Sequence, residues 1–289
     1  MLQSLRSRPW LTTGLALTLT AGSLVLAQRF GGGGGFGRFE GSQDGDDDRL
    51  PPPRSAEFHF VRLEYTDLPQ FHRRWGASSR DGTGTGWWLV DWPAADNHFT
   101  SGVNRLTRVD AGDPRHFSLS DPHIFDYPFI YATQTGWWGL TGPECLHLRE
   151  YLLRGGFLVV DDFWGPDQWN IFRQTMERVL PGQSITDIGE SDSVMNVLYS
   201  ITAKDRTFIP GSRHLRRGAG GQVEIVKPEG TSPAWRAMYD GRHRMVVAVN
   251  YNTDFGDGWE FADVPYYPES MTALAYRYGL NYLVYSMTH

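Results

Sequence analysis

Two stretches of the chain are apolar without interruption, Phe157-Leu-Val-Val160 and Met245-Val-Val-Ala-Val249. A strand that is apolar on both faces is covered on both faces, which is the situation inside a parallel sheet. Between Asp126 and Gly165 the pattern reads strand, turn, helix, turn, strand, acidic turn. Tyr127-Pro-Phe-Ile-Tyr-Ala132 is the first strand. Thr141-Gly-Pro-Glu144 has the form of a capping box, and Pro143 suits a first helical turn. Leu146, Tyr151, Leu152 and Leu153 keep an approximate helical stripe, and Gly155-Gly156 ends it. The unit is βαβ, and its second strand delivers Asp161 and Asp162 at the carboxyl end, where open α/β sheets bind their ligands.

Further strands are expected at Glu57–Tyr65, by polar–apolar alternation, and around Asp113–Leu119. Helices are expected around Asn97–Arg108, over Pro166–Leu180 with Trp169, Phe172, Met176 and Leu180 on one face, and over Pro268–Met287. Residues 189–230 read as irregular, with a basic cluster at Arg213, Arg216 and Arg217. Tyr251–Glu260 reads as a loop carrying Asp254, Asp257 and Glu260. Strands alternating with helices predict an α/β fold with a doubly wound, mostly parallel sheet and helices on both faces.

The amino terminus follows a different pattern. Residues 1–27 carry Arg6 and Arg8 and then an apolar run from Leu11 to Leu26, the layout of a secretory signal peptide. The run is close to the minimum for a spanning helix, so an uncleaved membrane anchor is the competing reading. Residues 28–55, rich in Gly, Asp and Pro, read as a disordered linker. Residues 56–289 form one α/β domain on this reading. The protein is then exported, periplasmic or extracellular, and the mature chain carries no membrane span.

Composition narrows the function classes. The chain has 289 residues, 40% of them apolar, enough for a sizeable core. Formal net charge is −6. Arg6 and Arg8 are the sole charges in the first 27 residues, so losing that segment takes −6 to −8. Nothing electrostatic favours nucleic acid as a partner. The single cysteine, Cys145, excludes an intrachain disulfide and a multi-cysteine metal site. The histidines show no HExxH-type spacing.

The succession YPFIY, aromatic turn, LREYLLRGGFLVVDDFWG, amphipathic helix ending LPG, apolar strand followed by NYNTDFGDGWE, and terminal YGLNYLVYSMT resembles the bacterial family of domain of unknown function 4159. The resemblance covers Phe58 to Thr288. It implies a flavodoxin-like architecture related to class I glutamine amidotransferases, and no established reaction. Relatives often carry a histidine in the turn after the YPFIY-type strand, where this chain has Gln134-Thr135-Gly136-Trp137-Trp138. Class I amidotransferases carry a nucleophilic cysteine in the turn after the strand that Phe157–Val160 resembles. Here that turn is Asp161-Asp162-Phe163-Trp164-Gly165, with no Cys, Ser or Thr, so no thiolate is available for amide transfer.

The candidate ligand-binding residues are therefore Asp161, Asp162, Trp164, Trp137, Asp254 and Asp257. If the two apolar strands are parallel neighbours, both acidic turns emerge on one sheet edge. Together they suit calcium or magnesium, which prefer oxygen ligands; no other cofactor is expected. Against this stand plainer readings: Asp162 or Asp167 as a helix cap, and the 254–260 segment as a solvated Asp-Gly turn. Trp87, Trp88, Trp92, Trp137, Trp138, Trp164 and Trp259 either stack on a sugar ring or plug the sheet edge. Cys145 reads either as a thiol activated by a helix dipole or as a buried apolar residue. The partner is a glycan, a small ligand or an envelope protein. A non-catalytic binding domain is favoured by the missing nucleophile, and a metal-assisted hydrolase is the alternative.

Overall fold

The computed structural model describes residues 55–72 and 85–289. The signal segment and all but the last residue of the linker lie outside them. The centre is a seven-stranded sheet in the order β2-β1-β3-β4-β9-β8-β5. The strands are β1 (Phe58–Glu64), β2 (Ala111–Ser118), β3 (Phe129–Thr133), β4 (Phe157–Asp161), β5 (Thr186–Asp187), β8 (Ala234–Tyr239) and β9 (Met245–Tyr251). β6 (Leu215–Arg217) and β7 (Val223–Ile225) form a separate antiparallel hairpin. β2, β1, β3, β4 and β9 run parallel, and β8 and β5 add an antiparallel edge. The five parallel strands follow the 2-1-3-4-5 order of a flavodoxin-like doubly wound sheet.

The two apolar runs lie where their patterning requires. β4 and β9 are adjacent and parallel, with Leu158 opposite Val247 and Val160 opposite Val249. Side chains alternate across the sheet into two cores. Phe60, Tyr131, Val159 and Ala248 face one side with α1 (Ala94–Leu106), α4 (Phe255–Glu260) and α5 (Glu269–Thr288). Val61, Ile130, Val160 and Val249 face the other with α2 (Gly142–Leu153) and α3 (Gly165–Val179). The capping box at α2 is complete, and Glu144 also accepts from the Thr66 N–H and hydroxyl. No helix among the described residues is long and apolar enough to cross a membrane.

Several details differ from the sequence reading. The buried face of α2 is Cys145, Leu148, Tyr151 and Leu152, while Leu146 and Leu153 are exposed. β1 is not a half-solvated strand: it lies between β2 and β3, and its polar His59 and Arg62 are buried. Tyr251–Glu260 is not simply a loop, because Asp254 caps α4 there. Cys145 is buried, and its burial pushes the thiol up, the opposite of activation. The N-cap of α3 is Trp164, which makes no side-chain cap hydrogen bond, so neither Asp162 nor Asp167 serves as the cap.

Candidate functional site

The turns after β4 and β9 are bound to each other. The Asp162 N–H donates to the Thr253 carbonyl at 3.0 Å, and the Asn252 N–H donates to the Phe163 carbonyl at 3.1 Å. The Asn252 side chain accepts from the Gly165 N–H at 2.9 Å. These contacts follow from β4 and β9 being parallel neighbours, and they bring the two acidic turns onto one edge. The third turn, after β3, joins them through the Gln134 N–H and the Asp161 carbonyl. Tyr65, just beyond β1, fixes that turn by donating to the carbonyl oxygens of Thr133 and Gln134.

The adjacent aspartates part ways, as side chains at a strand end do. Asp161 turns beneath α4. It accepts from the Tyr131 hydroxyl at 2.5 Å and from the Phe255 N–H at 2.6 Å, so it anchors the helix rather than lining a cavity. Burial and the Asp162 charge nonetheless push it up to about 7. Asp162 is held with left-handed backbone, φ 49°. Its carboxylate accepts from Gln134 Nε2, from Trp164 Nε1 at 2.6 Å and from Arg213 Nη2 at 3.3 Å. Burial pushes it up to about 6 against the pull of Arg213 and Trp164.

Asp162 meets Asp91 and Asp254, and Asp91 in turn meets Asp257 and Glu260. Oxygens of Asp91, Asp162 and Asp254 lie within 4.8 Å of one another, and so do oxygens of Asp91, Asp257 and Glu260. Asp254 Oδ1 accepts from the Asp257 N–H at 2.8 Å, and Asp257 Oδ2 from the Ser212 N–H at 2.5 Å. Gly211 permits this approach: a Cβ there would stand 2.6 Å from Asp254 Oδ2. Burial, then the neighbouring carboxylates, raise Asp254 and Asp91 well above the usual range. Burial and the Asp257 charge carry Glu260 to about 7. Buried like charges behave this way when no cation compensates them.

The acids line a cavity of about 280 Å³ with Trp87, Gln134, Ser212 and Arg213. A second cavity of about 360 Å³ shares Trp87, Gln134 and Arg213 with it and adds Trp137, Trp164, Gln168 and His214. Trp137 stacks on Trp87 with ring centroids 5.6 Å apart, and Arg213 lies over the Trp164 ring at 5.0 Å. His214 Nδ1 accepts from the Gly211 N–H, and burial followed by the Arg213 charge lowers the ring to about 4, so it is neutral near pH 7. Trp138, Trp88 and Trp259 are buried in the core instead.

The chain from residue 76 to 287 matches the domain of unknown function DUF4159. The protein belongs to that family. No curated protein matches it. Membership assigns no reaction, so the site must be read from its own chemistry.

Of the sequence candidates, Asp162, Asp254 and Asp257 converge, Trp164 and Trp137 wall the adjoining cavity, and Asp161 lies beneath it. The sequence pattern does not single out Asp91, and it gives Glu260 only as part of its acidic turn. Asp91 comes before α1 in the segment Val90-Asp91-Trp92-Pro93, an isolated acid with no partner at metal-ligand spacing nearby. Its signal is conformational. Among the described residues, four of the five non-glycine residues with left-handed backbone, Asp91, Gln134, Asp162 and Asn252, lie at this edge. Such backbone gathers at functional sites.

Proposed function

We infer that the chain is an exported cell-envelope protein whose α/β domain binds a divalent cation, calcium or magnesium, at the carboxyl edge of its sheet. A hydroxylated ligand, such as a glycan, occupies the adjoining aromatic cavity. The observation that carries this reading is the approach of Asp91, Asp162 and Asp254 to within 4.8 Å, oxygen to oxygen, below a cavity. Oxygen donors alone suit hard cations. Indole faces beside amide and guanidinium donors suit a sugar ring by stacking plus hydrogen bonding. The kinship to class I glutamine amidotransferases suggested by the sequence would put the turn from Asp161 to Gly165, which has no Cys, Ser or Thr, in the place of their nucleophile turn, which argues against amide transfer.

Thermal unfolding with calcium, with magnesium and with chelator tests the cation. A melting temperature raised by either ion in wild type, and raised less in Asp254→Asn, is expected. Melting that ignores both ions defeats the reading. Export is tested separately by amino-terminal sequencing of protein from the native host. The mature chain should begin near Gln28, and cytoplasmic protein retaining Met1 would refute it.

The second reading is metal-assisted hydrolysis. It is favoured by the positions of Asp162 and Glu260, which are raised to about 6 and about 7 beside the cavity and so suit proton exchange near neutral pH. A cation-dependent hydrolytic activity lost in Glu260→Gln would support it over simple binding.

A further inference from the structure

The five carboxylates fall into two sets with one member in common. Asp91 completes a group with Asp162 and Asp254, and it completes another with Asp257 and Glu260. Its Oδ2 is closed off from solvent and receives no hydrogen bond from the protein. By contrast, Asp162 is engaged by Gln134, Trp164 and Arg213. A Cβ on Gly256 would fall 2.4 Å from Asp91 Oδ2, so bare glycine backbone lets that oxygen sit against α4. A carboxylate has two oxygens and about four lone-pair sites, enough to serve two ions at once.

Resting on the cation reading above, we propose that the cluster is a two-cation centre in which Asp91 is the shared ligand. Asp162 and Asp254 complete one site, and Asp257 and Glu260 complete the other. The charge balance separates two ions from one. Arg213 is the basic side chain that lines the cavity, while Arg62 is engaged by Asp96. Once ionised as ligands, five carboxylates against one guanidinium leave four negative charges uncompensated. One divalent ion halves that excess, and two remove it. Burying unpaired charge is costly, so the second ion adds stability as well as the first. Neither set contains a sulfur or imidazole ligand, so the ions are hard ones, magnesium, manganese or calcium. Paired ions of this kind polarise an oxygen substrate from two sides and serve in hydrolysis.

Manganese is the probe, because native mass spectrometry counts the ions and paramagnetic resonance detects coupling between close ones. Chelator-stripped full-length protein should take up two manganese ions per chain and give a spin-coupled signal. Asp254→Asn and Glu260→Gln should each retain one ion and lose the coupling. Asp91→Asn should weaken both sites at least tenfold. One ion per chain overturns the two-cation centre and leaves the cation-binding reading standing. No bound ion overturns both. Asp91→Asn that still binds two ions at full affinity overturns the shared ligand. Wild-type stoichiometry and coupling decide the question even where a variant fails to fold.

Discussion

Two groups of buried charge lie close enough to act on each other, and the protein treats them differently. Arg62 on β1 and Asp96 on α1 are both removed from solvent and meet as a forked ion pair. The remaining Arg62 donor reaches the Val90 carbonyl at 2.9 Å. Burial works against the Arg62 charge, but Asp96 outweighs it and holds the guanidinium above its ordinary range. At the acidic cluster the same burial meets charges of one sign, and Asp91, Asp254 and Glu260 are driven up. A compensated charge fastens a helix to a strand. An uncompensated group is destabilising until a ligand arrives, which is a common mark of a site kept for function.

The largest expected effect breaks the compensated pair. Arg62→Ala leaves Asp96 buried and alone, and should cost about 3–5 kcal/mol. Replacing both partners by apolar residues of similar volume, Arg62→Met with Asp96→Leu, should recover most of that loss. Urea unfolding of the three proteins measures it. A loss below about 1 kcal/mol in Arg62→Ala would place the pair with exposed ion pairs, contrary to its geometry.

The cluster should respond with the opposite sign. Asp254→Asn keeps the oxygen that caps α4 and removes one repelling charge, so the chelated variant should be about 1–2 kcal/mol more stable than chelated wild type. With cation at one hundred times its dissociation constant, each occupied site should add about 2.7 kcal/mol, so wild type with two ions should overtake the variant with one. If chelated Asp254→Asn is less stable than wild type, the cluster is a structural network like the Arg62 pair.

Acidity offers a third comparison. Unfolded carboxyls titrate near ~4. In the folded chain Asp162 is raised to about 6 and Glu260 to about 7. Between those values the folded protein holds protons that the unfolded chain has released. Their contribution to stability is complete below about pH 4 and is lost as pH rises through 6 to 7. Chelated protein should be more stable at pH 5 than at pH 8, by on the order of 2 kcal/mol once solvent screening of the part-exposed Glu260 is allowed for. Asp205 works the other way: hydrogen bonding, first from the Thr202 backbone, lowers it, and its contribution is lost on acidification. Saturating cation should abolish the loss at pH 8, and unchanged pH dependence with cation present would separate the ion from the acids.

What was legible in the sequence follows the same division between local and distant causes. The apolar runs at β4 and β9 name their own environment, because a strand with no polar face has no solvated side. The Thr141–Glu144 box is likewise complete within four residues. That both acidic turns share an edge followed from those two strands being parallel. Arg62 was not legible as buried, because its partner Asp96 is 34 residues away and a charge in an alternating strand looks solvated. Asp91 was not legible as a ligand, because its neighbours at the site lie on the turns after β4 and β9. Nor does apolar content reveal strand direction, so the antiparallel β8 beside β9 carries no sequence mark.

The smallest expected effect completes the series. Arg236 and Asp187 pair across β8 and β5 at 3.0 Å, but the Asp187 side chain is 80% exposed. Water screens both charges there, and holding two mobile side chains in one geometry offsets the attraction. Arg236 also lies over the Trp169 ring at 4.4 Å, a contact that survives loss of the carboxylate. Asp187→Ala should therefore shift stability by less than about 0.5 kcal/mol, and the shift should vanish in high salt. A loss as large as that of Arg62→Ala, in the same urea titration, would mean that ion-pair geometry rather than burial sets the strength of charge interactions in this protein. The contrast between the fastened pair and the open cluster would then lose its physical basis.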